Sequence, residues 1–141
     1  MSSHFDIIII GAGAAGLMCG ATAGERGKSV LIIDHANKPA EKIRISGGGH
    51  CNFTNLHTAP EAFLSENPHF CKSAFVQYNQ FDFIDLVDRY KIAHHEKKLG
   101  QLFCDRSSQN ITDMLKAECD KLGVVIRMST HIKNIASRSP G

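Results

Sequence analysis

Apolar residues open the chain as "FDIIIIGAG", residues 5–13, an uninterrupted β-branched run ending in glycine. Such a run predicts a strand covered on both faces within a parallel sheet. "AAGLMCGATAGERGKS" follows, rich in small residues, and predicts a helix with Gly27 as its stop. "VLIID", residues 30–34, is a second strand. The opening is therefore a β-α-β unit, a connection that is almost always right-handed.

From Pro60 to Tyr90 the pattern changes to helical segments, "PEAFLSE", "HFCKSAFVQY" and "FDFIDLVDRY", broken at Pro68 and at Asn79-Gln80. Phe81, Phe83, Ile84, Val87 and Tyr90 form the packed face of the last of these. "IAHHEKKLGQLFC" reads as two short strands around Gly100. Ser107 or Ser108 then caps "QNITDMLKAECDKLG", where Ile111, Met114, Leu115, Cys119 and Leu122 recur at helical spacing. Gly123 ends that helix, and "VVIRMS" returns as a third parallel-type strand. The predicted organisation is a βαβ unit with a glycine-rich loop over residues 1–56, a helical insertion and hairpin over 57–106, and a returning helix and strand over 107–141.

Composition narrows this α/β reading. The 141 residues, 43% of them hydrophobic, suit one domain with a real core. A net charge of +2, with no basic run longer than Lys97-Lys98, argues against nucleic acid or an anionic membrane surface as partner. Five cysteines without a CxxC pair read as reduced thiols and a cytoplasmic protein. Cys71, Cys104 and Cys119 are expected in the core. The apolar start mimics a secretory leader, yet "MSSHFD" lacks Lys and Arg and carries Asp6. No other stretch approaches the ~18 apolar residues of a membrane helix.

Gly11-Ala12-Gly13-Ala14-Ala15-Gly16 is a GxGxxG. Alone it is a weak signal. Here it follows a strand, opens a helix, and precedes an acid, Asp34, at about the 20-residue separation of a dinucleotide fingerprint. Gly11 permits the tight turn, Gly13 lets a pyrophosphate approach, and Gly16 lets helix and strand pack closely. The free N–H groups at Ala14, Ala15 and Gly16 suit phosphate oxygens. Asp34, with His35 beside it, can take both ribose hydroxyls of an adenosine. The bland alternative is a glycine-rich turn that binds nothing. NAD and FAD share the motif, but "NKPAEKIRISGGGHCNFTN" turns back from the Asp34 end of the sheet, where ligands of open α/β sheets bind. That extra wall favours the longer FAD.

"KIRISGGGHCNFTN" resembles the K-x-x-I-S-G-G-G-R-C-N-x-T-N signature of the bacterial BaiN-type NAD(P)/FAD-dependent oxidoreductases, also known as aminoacetone-oxidase-family flavoproteins. "EKKLGQLFC" and "LGVVIRMSTHIKNI" resemble that family's hairpin and third strand. The resemblance implies a Rossmann-like FAD/NAD(P)-binding domain of glutathione-reductase type, with three parallel strands and an inserted helical segment and hairpin. It places Lys42, Ser46, Gly47, Gly48, Gly49, Cys51 and Asn52 on the flavin side of an FAD site, and Ile132 at the adenine through its backbone. NADH or NADPH would be the reductant. Departures are His50 for an arginine, Asp34 for the commoner glutamate, Ala40-Glu41 for Gly-Arg, and Gln101 and Cys104 for an arginine and a proline. The lost cations imply weakened FAD affinity.

Members of the resembled family are longer, so this chain is expected to be truncated, lacking a β-meander, later parallel strands, an Ala-Thr-Gly turn and a substrate domain. The first strand would then lie at a sheet edge and pair with another copy or another chain. A homo-oligomer is the expected state. Two readings follow: the FAD-binding portion of a flavin oxidoreductase of unknown substrate, or a non-catalytic nucleotide-binding or assembly module completed by a partner. A Cys51–His50 nucleophilic pair and a His94-His95-Glu96 metal site are both weaker readings, because adjacent side chains in a turn or strand rarely converge.

Overall fold

The computed structural model describes residues 4–137 and divides them into two compact units. The first contains residues up to Glu41 and those from Leu115 onward; the second is Lys42–Met114. The "SPG" of the final "SRSPG" lies outside the described residues, with the Arg before it.

In the first unit, β1 (Ile7–Ile10), α1 (Ala14–Glu25) and β2 (Val30–Ile33) form the expected β-α-β unit. Ile7 pairs with Val30 and Ile10 with Ile33 in parallel register. Ser29 locks the start of both strands, since its N–H and Oγ each donate to an Asp6 carboxylate oxygen at 2.8 Å. β6 (Val125–Arg127), the last of the strands in chain order, pairs parallel with β2, giving the sheet order β1-β2-β6. This is a Rossmann-type α/β arrangement with three parallel strands. β2 is central, and Val30, Leu31 and Ile32 are at most 5% exposed. β1 differs from its predicted burial on both faces: it lies at the sheet edge, and Ile8 and Ile10 are 59% and 61% exposed.

α1 sits close to this sheet because glycines line its inner side. A Cβ at Gly20 would lie 2.7 Å from Ile32 Cδ1, and one at Gly24 would lie 2.9 Å from Leu122 Cβ. Cys119, fully buried, donates its thiol to the Leu17 carbonyl at 3.2 Å. Its helix, α5 (Gln109–Lys121), spans the boundary in sequence between the two units and buries Ile111, Met114, Leu115 and Cys119 of the predicted stripe, while Leu122 lies just past its end and is half-buried. Gly27 and Gly123, at φ +72 and +68, follow the two helices as predicted stops.

The second unit is built on an antiparallel sheet of order β3-β5-β4: β3 (Asn52–Asn55), β4 (His94–Glu96) and β5 (Gln101–Cys104). The hairpin around Gly100 was expected; β3 was not. Asn52 opposes Phe103 and Asn55 opposes Gln101, so the polar "NFTN" becomes a strand by pairing with β5. Of the predicted helices, "PEAFLSE" forms only a single 3₁₀ turn at Pro60–Ala62. α3 is Lys72–Gln77, and α4 is Gln80–Arg89, started by an Asn79–Asp82 capping box. Leu86 and Val87 are buried and Phe83 packs on Phe53, but Phe81 is 55% exposed and leaves the predicted face. Cys71 is likewise only partly buried, its thiol 3.6 Å from the Pro60 carbonyl, because it precedes the short α3 on the surface. No described helix is long and apolar enough to cross a membrane.

Candidate dinucleotide-binding site

The glycine motif of the first unit forms a tight strand-to-helix turn. Gly11, at φ +107, donates its N–H to Ile33 at 2.8 Å and so binds the turn to the end of β2. Gly13 is the N-cap of α1 without any side-chain cap, and Leu17 is the first residue to bond back, to the Gly13 carbonyl at 2.9 Å. The amides of Ala14, Ala15 and Gly16 precede that first bond, and no acidic side chain occupies the first turn. A Cβ at Gly13 would meet nothing within 4 Å, whereas one at Gly16 would fall 1.9 Å from the Gly11 carbonyl oxygen. Gly13 thus leaves open space over the helix start, and Gly16 permits close backbone contact.

Beside this turn lies a cleft of about 430 Å³ lined by Ile10, Gly11, Ile33, Asp34, His35, Thr130, His131 and Ile132. Its volume lies within the range of small-molecule sites. The strand ends are fixed by Asp34 N–H to Arg127 at 3.0 Å and Thr130 N–H to Asp34 at 2.9 Å. Asp34 also braces the turn through both carboxylate oxygens. Its Oδ2 accepts the Ala12 N–H at 2.7 Å and its Oδ1 the Ala36 N–H at 2.9 Å. These backbone bonds, led by that from Ala36, hold its carboxyl below the usual carboxylate value. The acid therefore shapes the turn as well as lining the cleft. His35 and His131 flank the opening with ring centroids 6.2 Å apart.

Gly11, Asp34, His35 and Ile132 thus converge on one cleft, with Gly13, Ala14, Ala15 and Gly16 on the adjoining helix start. His131 and Thr130 were missed by sequence reasoning, because only their position after β6 brings them beside Asp34. Departure of Ala40 from the resembled glycine also acquires a physical meaning. Ala40 is 3% exposed, stands at φ +59, and donates its N–H to Ala12 at 2.9 Å. Left-handed alanine costs about 1 kcal/mol. Ala40→Gly is expected to raise the thermal midpoint by a few degrees at most, measured by circular dichroism; a lowered midpoint would contradict this strain.

The remaining predicted residues belong to the second unit. Lys42 is exposed on α2 (Glu41–Ile45), which continues into a 3₁₀ turn, Ser46–Gly49. Gly47, Gly48 and Gly49 all have left-handed backbones, at φ +57, +67 and +89, which explains three consecutive glycines. Gly47 also has no room for a side chain, as a Cβ would lie 2.8 Å from the Phe103 ring. Cys51, at φ +51 and buried, bonds through its N–H to Ser46 at 3.1 Å. Burial pushes its thiol pKa up, unlike an activated nucleophile. His50 Nδ1 lies 3.3 Å from the Cys104 carbonyl, and Asn52 begins β3 with an exposed side chain. Ser107 Oγ accepts the Gln109 N–H as a cap, but Ser108 clasps the glycine loop: its Oγ donates to Arg44 at 2.8 Å and its N–H to Gly49 at 2.7 Å.

His94 and His95 point apart, to Asp88 and to Asp105, and no metal-ligating cluster occurs among the described residues.

The sequence matches the model of the HI0933-like protein Rossmann domain over residues 5–141. The chain belongs to the HI0933-like family. This match agrees with the Rossmann-type arrangement of the first unit. The chain is 57% identical over 138 residues to the ribosomal RNA dihydrouridine synthase of Escherichia coli K12, covering 98% of this chain and 34% of that protein. To the ribosomal RNA dihydrouridine synthase of Haemophilus influenzae it is 51% identical over 135 residues, with 96% and 34% covered. The chain thus spans about a third of the length of these curated relatives. Among solved structures, the 3-ketosteroid-Δ4-(5α)-dehydrogenase of Rhodococcus jostii RHA1 shares the fold, with a TM-score of 0.61 at 13% identity over 89% of this chain and 38% of that one.

Proposed function

We propose that this chain binds FAD and forms the cofactor-binding part of a flavin-dependent reductase acting on uracil in ribosomal RNA. The observation that carries FAD binding is the pairing of an uncapped helix start at Gly13–Gly16 with the cleft lined by Gly11, Asp34, His35 and Ile132. Phosphates suit the first and an adenosine the second. The glycine-triplet signature, similar to that of BaiN-type flavoproteins, supports FAD over NAD, with NADH or NADPH as the source of electrons. Identity to the E. coli relative over nearly the whole chain supports the RNA substrate. Dihydrouridine is uridine with its C5–C6 double bond saturated, so the product requires one hydride and one proton, and a reduced flavin supplies the hydride. With a net charge of +2, these residues offer RNA local cationic contacts and no broad basic face.

The purified chain is expected to retain a visible flavin band after excess FAD is removed, or to gain thermal stability with FAD. Saturation at 100 times the dissociation constant stabilises by about 2.7 kcal/mol. A colourless chain with an unchanged melting point in FAD overturns the cofactor reading. For the substrate, nucleoside mass spectrometry of ribosomal RNA from cells lacking the gene is expected to show lost dihydrouridine. An unchanged level overturns that reading.

A further inference from the structure

In the second unit, the turn after α4 and the turn into α5 enclose another cavity, about 230 Å³ in volume. Its lining is Tyr90, Lys91, Ile92, Ala93, Arg106 and Asn110, none of which lines the dinucleotide cleft. Backbone bonds fix both turns. Lys91 N–H reaches Asp88 at 2.8 Å, Ile92 N–H reaches Val87 at 3.2 Å, and Asp105 N–H reaches Ala93 at 2.9 Å, tying one turn to the other. Lys91 itself stands at φ +54, a left-handed conformation that sends the chain sharply off the end of α4.

The charged groups around this cavity are arranged unevenly. Neighbouring carboxylates have other partners: Asp88 holds His94 Nε2 at 2.9 Å, Asp105 holds His95 Nδ1 at 2.6 Å, and Asp113 accepts the Gln109 amide at 2.8 Å. Among the described residues, neither Lys91 nor Arg106 takes part in a salt bridge. The lining therefore offers a guanidinium, an ammonium and the Asn110 amide, and no carboxylate. Such a donor-rich, acid-free set repels metal cations. It suits an anion with several oxygens, which a guanidinium can grip through two parallel N–H bonds.

We infer that this cavity is a phosphate-binding site that takes a backbone phosphodiester of RNA. The assignment to RNA rests on the substrate reading above. A single strand is held by cationic contacts to its backbone, and each neutralised phosphate adds to the salt dependence of binding. One seated phosphate at Lys91 and Arg106 would fix the strand at one point and carry no sequence information of its own.

The test is fluorescence anisotropy of a labelled 12-nucleotide single-stranded RNA with the whole chain at several salt concentrations, with inorganic phosphate as a second probe. Lys91→Asn keeps a residue tolerant of the left-handed backbone, and Arg106→Gln replaces the guanidinium with a neutral amide. Together they are expected to weaken RNA binding about tenfold and to reduce the log–log salt slope by about 0.7. Flavin retention and the melting point should match the wild type. Arg106→Lys separates charge from shape, and should lose less than Arg106→Gln. Equal affinity of wild type and double variant for both RNA and inorganic phosphate overturns the site. Inorganic phosphate binding that is lost in the double variant without any effect on RNA overturns the RNA assignment. A wild-type chain that holds flavin but no RNA overturns this inference and leaves the cofactor reading standing, whereas the dihydrouridine measurement alone decides the substrate reading.

Discussion

Gly16→Ala is expected to cost the first unit about 3 kcal/mol or more, the upper range for overpacking. The added methyl carbon would stand 1.9 Å from the Gly11 carbonyl oxygen, with Gly11 C at 3.0 Å and Ile9 Cγ2 at 3.4 Å. The first two of these neighbours are backbone, so no rotamer change relieves the overlap. α1 would have to move away from β1, and the turn of Gly11 would open with it. The thermal midpoint should fall by about 10 °C or more. Gly13→Ala is the informative partner, since its Cβ meets nothing within 4 Å and its φ is −79. Its apo melting point should hold, while FAD affinity drops by about tenfold or more because the methyl occupies space a phosphate needs. Melting curves with and without FAD separate the two. Equal apo stability of Gly16→Ala and wild type would refute close packing at this turn. Unchanged FAD affinity in Gly13→Ala would refute a phosphate at the helix start.

Asp34→Asn should give the second large effect. The amide nitrogen of asparagine would face either the Ala12 or the Ala36 N–H, donor against donor, where Asp34 accepts both. Losing one charged acceptor in this half-buried position costs about 2 kcal/mol, a fall of roughly 8 °C. The loss should depend on pH in a defined sense. The folded carboxyl titrates below its ordinary 3.8, chiefly through the Ala36 and then the Ala12 backbone bonds. Its stabilisation is therefore complete above the unfolded value and disappears as pH falls through the folded one. Urea midpoints of wild type and variant should stand apart near neutral pH and converge below about pH 4. A gap that stays constant into acid would mean that Asp34 acts through shape alone.

These effects show where the sequence was legible. The β-α-β unit could be read because its signals are local: four isoleucines, glycines at fixed spacing, and an acid at the end of the next strand. The hairpin at Gly100 and the stripe of α5 were readable for the same reason. β3 was not, since Asn52–Asn55 has no strand-like composition and becomes a strand only by facing β5 some fifty residues later. The edge position of β1 was expected from the resemblance, but its two exposed isoleucines were not legible in the run itself, because a β-branched run reports strand preference and not what covers it. For the site, the cleft residues Asp34 and Ile132 were found by motif and by resemblance, but the two amides that occupy the Asp34 carboxylate are tertiary partners. Gly20 and Gly24 escaped notice although they follow Gly16 at intervals of four, the repeat of one helix face. Lys91 and Arg106 come to line one cavity only because Asp105 and Ala93 hydrogen-bond across two turns.

The thiols distribute themselves so that each compact unit carries its own concealed reporter. Cys104 is fully buried in the second unit and Cys119 fully buried in the first, and desolvation pushes both pKa values up to about 11. Cys19, by contrast, is exposed on α1. Alkylation in the folded state is thus directed to Cys19 on the outside of α1 and, more slowly, to the partly buried Cys71. Modification of Cys104 or Cys119 requires its surroundings to open. Pulsed thiol labelling read by mass spectrometry would therefore time the opening of the two units separately in one sample, with no cysteine added or removed.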